Sequence, residues 1–245
     1  MDLQQYRQRR KIQLEEQKDT RNLCTDCWQP DFNCYCHAIE KFDPHIEFVV
    51  LIHPVEARRR IATGRMSYLS LENSHIIRGM SFADCPTVGR LLADSNYHNV
   101  MLARGEGSID LTNMSEQQKE KHFTSDKKLR VFVIDGTWTN AGKMITRSPN
   151  LQKLPRFCFT PDKPSNIRVR KQPNPLCYCT LEAIHHLIGL LGPSQGFDVS
   201  GRTHDNLLKP FNWMVGQQVE RLREELKWRE ISRNPTGPSW ERKKE

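Results

Sequence analysis

The chain has 245 residues, enough for one large domain or a domain with a small appendage. No apolar run approaches the roughly 18 residues that a membrane helix needs. The first turns of chain are rich in Gln, Arg, Lys and Glu and lack the apolar core of a secretory signal, so a cytoplasmic protein without membrane contact is expected. The balance of 37 Lys+Arg against 29 Asp+Glu gives +8, which favours polyanionic partners. Eight cysteines in such a chain predict reduced thiols and not a disulfide framework.

In chain order, residues 1–22 read as a charged helix or arm without a clean apolar stripe. Residues 24–37 hold four cysteines. Residues 47–52 form a continuous apolar, β-branched run, the pattern of a strand buried on both faces. His53-Pro54 ends it, and residues 55–60 can begin a helix. Further short strands are predicted at 75–78, 99–103, 129–135 and 156–159. Ser115, with Gln118 three residues on, marks a helix start. Thr180–Leu191 reads as an apolar helix stopped by Gly192-Pro193, and 206–229 as a last amphipathic helix. Strands alternating with helices predict an α/β layer architecture with a mainly parallel sheet.

Four constellations carry chemistry. Cys24, Cys27, Cys34 and Cys36 form two close pairs, a spacing that points to structural zinc, with free thiols on a loop as the alternative; His37 could replace one ligand. Asp135-Gly136-Thr137-Trp138 follows the strand at 129–135, and ligands of open α/β sheets bind beyond strand carboxyl ends. There Asp135 reads equally as a general base or as the cap of a following helix, and Trp138 as a stacking platform or a core residue. His53-Pro54-x-Glu56 with Thr63-Gly64-Arg65 repeats the pattern at another strand end, or marks an ordinary strand-to-helix turn. In Cys179-Thr180-Leu181-Glu182-Ala183 a helix begins, with Thr180 as its expected cap and Glu182 as a partner of the helix dipole. Cys177 and Cys179 have no second pair nearby, so a second thiolate metal site is not expected. Cys85 and Cys158 read as packing groups. Arg58, Arg59, Arg60, Arg65, Arg168 and Arg170 are the candidates for phosphate contact, and Lys127, Lys128 and Arg130 add charge beside a strand.

These elements, in this order, resemble the DTW-domain family, which includes bacterial tRNA-uridine aminocarboxypropyltransferases and is similar to ribosomal-RNA aminocarboxypropyltransferases. The matching pieces are the cysteine cluster, His53-Pro54-x-Glu56, Thr63-Gly64-Arg65, Asp135-x-Thr137-Trp138 and Thr180-Leu181-Glu182-Ala183. The resemblance implies a SPOUT-like, deeply knotted α/β fold with a mainly parallel sheet and flanking helices. It implies S-adenosylmethionine as donor, transfer of a 3-amino-3-carboxypropyl group to N3 of a tRNA uridine in the variable loop, and methylthioadenosine as by-product. The donor is then expected among His53, Pro54, Leu102, Ile134, Gly136, Thr137 and Trp138, and in the loop holding Leu176, Tyr178, Cys179, Thr180 and Glu182. Asp135 would be the base for the N3 proton. One departure stands out: Cys179 occupies a position where the family pattern has serine.

The expected organisation is an N-terminal arm and zinc module at 1–42, a catalytic domain at 43–230 and a basic tail at 231–245. A monomer and a homodimer are equally compatible with the sequence. Two other readings share its features: a SPOUT-type RNA methyltransferase, and a zinc-containing RNA-binding protein without catalysis.

Overall fold

A computed structural model of the chain describes residues 23–59, 61–123, 126–165 and 176–233. Strand β1 spans Ile46–Ile52 and is followed by helices α1, Pro54–Ala57, and α2, Thr63–Ser70. Then come β2, Ser74–Arg78; α3, Pro86–Ala93; β3, Tyr97–Leu102; β4, Ile109–Asp110; α4, Glu116–Phe123; and β5, Lys128–Asp135. The second half holds α5, Trp138–Thr146; α6, Pro149–Gln152; β6, Arg156–Cys158; α7, Thr180–Leu191; and α8, Leu208–Arg233. The strands form one six-stranded sheet in the order β2-β1-β5-β3-β6-β4, with every neighbouring pair parallel. The expected α/β class and parallel sheet are therefore present.

Alternation along the central strands builds two apolar layers. Phe48 and Val50 of β1, with Val131 and Val133 of β5, pack on one face with Met66 of α2, Ile184 and Ile188 of α7, and Phe211 and Met214 of α8. Val49, Leu51 and Phe132 point to the other face, against Val88 of α3, Met144 of α5 and Leu151 of α6. Phe132 is completely buried; emptying such a position to alanine costs about 3–5 kcal/mol. Cys27, Tyr35 and Phe42 belong to the first layer, so the cysteine segment shares the core of the sheet.

Three elements differ from expectation. Helix α2 forms on Thr63-Gly64-Arg65, a stretch that resembles a turn because glycine and serine are weak helix formers; burial of its face outweighs that local preference. Helix α3 starts at a proline, which opens a helix as readily as it ends one, and the two-residue strand β4 at the sheet edge is too short to leave a periodic pattern. Arg130 does not offer its charge to solvent. It is 2% exposed, pairs with Glu47, donates to the Leu91 carbonyl at 2.5 Å, and stacks 3.5 Å from the Tyr97 ring. This cluster closes the amino-terminal edge of the sheet. No described helix is long and apolar enough to cross a membrane.

Candidate active site

The carboxyl ends of β1 and β5 lie side by side: Ile52 is in register with Asp135, and the His53 N–H donates to the Asp135 carbonyl at 2.8 Å. His53 then caps α1, its Nδ1 accepting from the Val55 N–H at 3.2 Å, with Pro54 in the first helical position, where no N–H is needed.

The Asp135 side chain is 7% exposed. Its Oδ2 accepts from the Gly64 N–H at 3.1 Å, and its Oδ1 from the Thr180 hydroxyl at 2.9 Å. Gly64 lies in the first turn of α2 and Thr180 is the first residue of α7. Two helix amino termini, the positive ends of their dipoles, thus converge on one carboxylate. The approach requires glycine, because a Cβ at position 64 would stand 2.3 Å from Oδ2 and 2.9 Å from Val50 Cγ1.

Asp135 is not the cap of α5. That cap is Thr137, whose hydroxyl accepts from the Asn140 N–H at 3.3 Å. Trp138 is not core, being 68% exposed. Gly136 lets α5 pack closely, with the Ala141 nitrogen 3.3 Å from where its Cβ would be. Ile134 faces the second apolar layer, and Leu102 at the end of β3 faces the first.

The Thr-Leu-Glu-Ala segment divides its tasks residue by residue. Cys179, not Thr180, is the cap of α7: its sulfur accepts from the Glu182 N–H at 3.4 Å. Glu182 completes a capping box, accepting from the Cys179 N–H at 2.9 Å and from the Ser165 hydroxyl at 2.7 Å. Burial pushes the Cys179 thiol well above its ordinary range, so it caps as a neutral group. Leu181 is fully buried. This leaves the Thr180 hydroxyl for Asp135. Tyr178 leaves the loop toward an aromatic cluster, 6.0 Å from Phe159 and 5.7 Å from His186; Leu176 is exposed.

The four N-terminal cysteines converge, with every pair of sulfurs within 4.8 Å. Cys24 and Cys36 are 3.7 Å apart, and Cys27 and Cys34 3.6 Å. A zinc tetrahedron with 2.3 Å bonds has an S–S edge of about 3.8 Å, so the donor set and its spacing fit the ion. Backbone N–H groups of Cys27 and Asp26 bring Cys24 down to about 7, while burial pushes Cys27 up to about 11. His37 lies edge-on against Trp213, 4.7 Å away, and is not among these four ligands.

Arg65 does not serve phosphate. It is 6% exposed and turned inward, donating to the Ala57 carbonyl at 2.7 Å and the Cys27 carbonyl at 3.3 Å, with its guanidinium 3.8 Å from the Trp28 ring centre. It ties the cysteine segment to α1 and α2. Arg58 and Arg59 are exposed, and Arg59 pairs with Glu56 at 3.1 Å. Arg60, Arg168 and Arg170 lie outside the described residues.

Of the expected strand-end residues, His53, Gly136, Thr137, Cys179, Thr180 and Glu182 gather around Asp135 or position its neighbours. The Gly64 N–H, the Thr180–Asp135 bond, Ser165 and His186 were not anticipated. Only Gly64 left a signal, as the glycine of Thr63-Gly64-Arg65 beyond a strand end.

The chain is thus an α/β protein whose parallel sheet carries a donor-held carboxylate at its strand ends, with a four-cysteine cluster tied to α2 through Arg65. The DTW domain matches residues 21–219, and the chain belongs to that family. It is 23% identical over 215 residues to tRNA-uridine aminocarboxypropyltransferase A of Arabidopsis thaliana, covering 75% of this chain and 79% of that protein. It is 27% identical over 181 residues to tRNA-uridine aminocarboxypropyltransferase 2 of Drosophila melanogaster, covering 70% of this chain and 67% of that protein. No solved structure matches.

Proposed function

We propose that this chain transfers the 3-amino-3-carboxypropyl group of S-adenosylmethionine to N3 of a uridine in tRNA, in the variable loop. The observation that carries this reading is the Asp135 carboxylate, held by Gly64 and Thr180 at the strand ends of a DTW-domain chain. The named activity of the two relatives supports it.

The donor supplies a sulfonium-activated γ-carbon: the N3–Cγ bond forms as the Cγ–S bond breaks, and methylthioadenosine leaves. The residues present fit such a donor, since the exposed indole of Trp138 offers a π face to a cation or an adenine. Neutral uridine N3 is a poor nucleophile, and Asp135 is the group that receives its proton. Gly64 and Thr180 each donate to one of the two Asp135 carboxylate oxygens. Holding those two oxygens fixed aims the base, and such help is worth roughly 10²–10⁴-fold. Arg58 and Arg59, with Arg60, Arg168 and Arg170, supply the phosphate contacts.

The same reading includes a SPOUT-type knotted path, a zinc held by Cys24, Cys27, Cys34 and Cys36, and a division into 1–42, 43–230 and a basic tail at 231–245. It also includes cytoplasmic action, as a monomer or a homodimer. The test is to incubate the protein with labelled S-adenosylmethionine and tRNA lacking the modification, then to analyse nucleosides by mass spectrometry. Aminocarboxypropyluridine and methylthioadenosine are expected. Release of S-adenosylhomocysteine with a methylated nucleoside would replace this reading by methyl transfer.

A further inference from the structure

A second cluster of metal-ligating side chains lies apart from the cysteines and from Asp135. His185 sits on α7, and His204 and Asp205 in the short 3-10 turn Thr203–Leu207 that leads into α8. The His185 Nε2 is 2.8 Å from Asp205 Oδ1, and the His204 Nε2 is 3.9 Å from the same oxygen. All three ligand atoms fall within 4.8 Å of one another.

We propose that His185, His204 and Asp205 bind one divalent ion of the zinc class. Two imidazoles and a carboxylate are a borderline donor set suited to Zn²⁺, Ni²⁺ or Co²⁺. Bonds of about 2.0–2.1 Å in a tetrahedron put ligand atoms about 3.3–3.4 Å apart, and the 2.8 and 3.9 Å separations bracket that edge.

The second observation is His204 itself. It is 6% exposed, its Nδ1 has no hydrogen-bond partner, and its Nε2 faces Asp205 beyond hydrogen-bond reach. An ion seated between Nε2 and Asp205 would give that nitrogen the partner it lacks at hydrogen-bond distance; the orphan Nδ1 is a separate cost that such an ion does not relieve. Its ring is fixed by the His185 ring at 4.7 Å and the Phe197 ring at 6.2 Å.

Arg202 donates to Asp205 Oδ2 at 2.7 Å, which leaves Oδ1 turned to both imidazoles. Its positive charge opposes an incoming cation, and the carboxylate between them offsets this. The side chains of His185 and Asp205 remain 21% and 33% exposed, so a water can complete the shell from outside. Such an ion would clamp α7 to the turn before α8, one and a half turns along the helix from Thr180.

Metal content tests this independently of any activity on tRNA. The full chain is stripped with a chelator, reloaded with Zn²⁺, desalted and assayed for zinc by mass spectrometry. Two equivalents per chain are expected, falling to one in His185→Gln and in His204→Gln while the cysteine-bound ion stays. In the wild type reloaded first with one equivalent of Cd²⁺ to fill the thiolates, zinc X-ray absorption should show nitrogen and oxygen neighbours without sulfur. A cadmium-filled wild-type chain that takes up no zinc, a second ion with sulfur neighbours, or folded variants that keep the same zinc content as the wild type would each overturn the proposal. The first two readouts use the wild type alone, so a variant that fails to fold does not shelter it.

Discussion

The Thr180 hydroxyl donates to Asp135 Oδ1 at 2.9 Å, joining the first residue of α7 to the last residue of β5. If this bond aims the base, Thr180→Val removes the aim with little change in shape. Its cost in stability is about 1 kcal/mol, whereas turnover should fall by at least about tenfold. Asp135→Asn should lower turnover by roughly 10²–10⁴. Circular dichroism and single-turnover rates check both, and full activity in a folded Asp135→Asn chain would remove Asp135 from the chemistry.

Gly64 has no room for a side chain. The Gly64→Ala methyl would meet Asp135 Oδ2 at 2.3 Å and Val50 Cγ1 at 2.9 Å. Relief requires moving a carboxylate or a core strand, at about 1–3 kcal/mol. A drop in melting temperature of roughly 2–4 °C per kcal/mol is expected, together with loss of activity. An unchanged melting curve would contradict the close approach.

Cys179 caps α7 with sulfur, a weak acceptor. Serine is among the preferred capping residues, so Cys179→Ser should stabilise the chain by up to about 1 kcal/mol. Denaturant titration reads this directly; a destabilised variant would mean that the half-buried thiol contributes more by packing than by capping.

Arg65 and Arg58 separate structure from tRNA contact. Arg65→Ala leaves the carbonyls of Ala57 and Cys27 without their donor, a loss of about 1–3 kcal/mol for each buried group. It should lower the melting temperature without altering the salt dependence of tRNA binding measured below it. Arg58→Ala should do the reverse, reducing the slope of log affinity against log salt by about 0.7–0.9.

For the thiolates, Cys27→Ser is expected to lose the zinc equivalent assigned to that cluster. Because Cys27 and Tyr35 are fully buried in the sheet's own core, the melting temperature should fall along with it. Retention of that ion, read by atomic emission, would mean that three thiolates suffice.

The sequence announced the central strands, because β1 and β5 are apolar on both faces, and it announced the helix from Thr180 to Leu191, bounded by Gly192-Pro193. Helix α2 stayed hidden because a glycine and two serines interrupt its helix formers, and tertiary burial holds it. The placement of Asp135 at a strand end was legible, whereas its donors were not. Gly64 and Thr180 come to it only through the packing of α2 and α7 on one face of the sheet, and no local pattern encodes that meeting. The charge of Arg65 and Arg130 misled for a related reason: a guanidinium buried on carbonyls or on Glu47 reads, in sequence, like one facing solvent.

The separation of these partners also dictates when the carboxylate acquires them. Gly64 precedes Asp135 by 71 residues and Thr180 follows it by 45, and every strand neighbour in the sheet is parallel and so needs a crossover. During synthesis, at roughly 5–20 residues per second, Asp135 emerges several seconds before α7 exists to cover it. A nascent chain that stops short of residue 180 exposes the apolar face of β1 and β5 that α7 would shield, together with a half-solvated carboxylate. Such a product is a target for chaperones, and recovery of activity after refolding should track the docking of α7 and not the formation of the sheet.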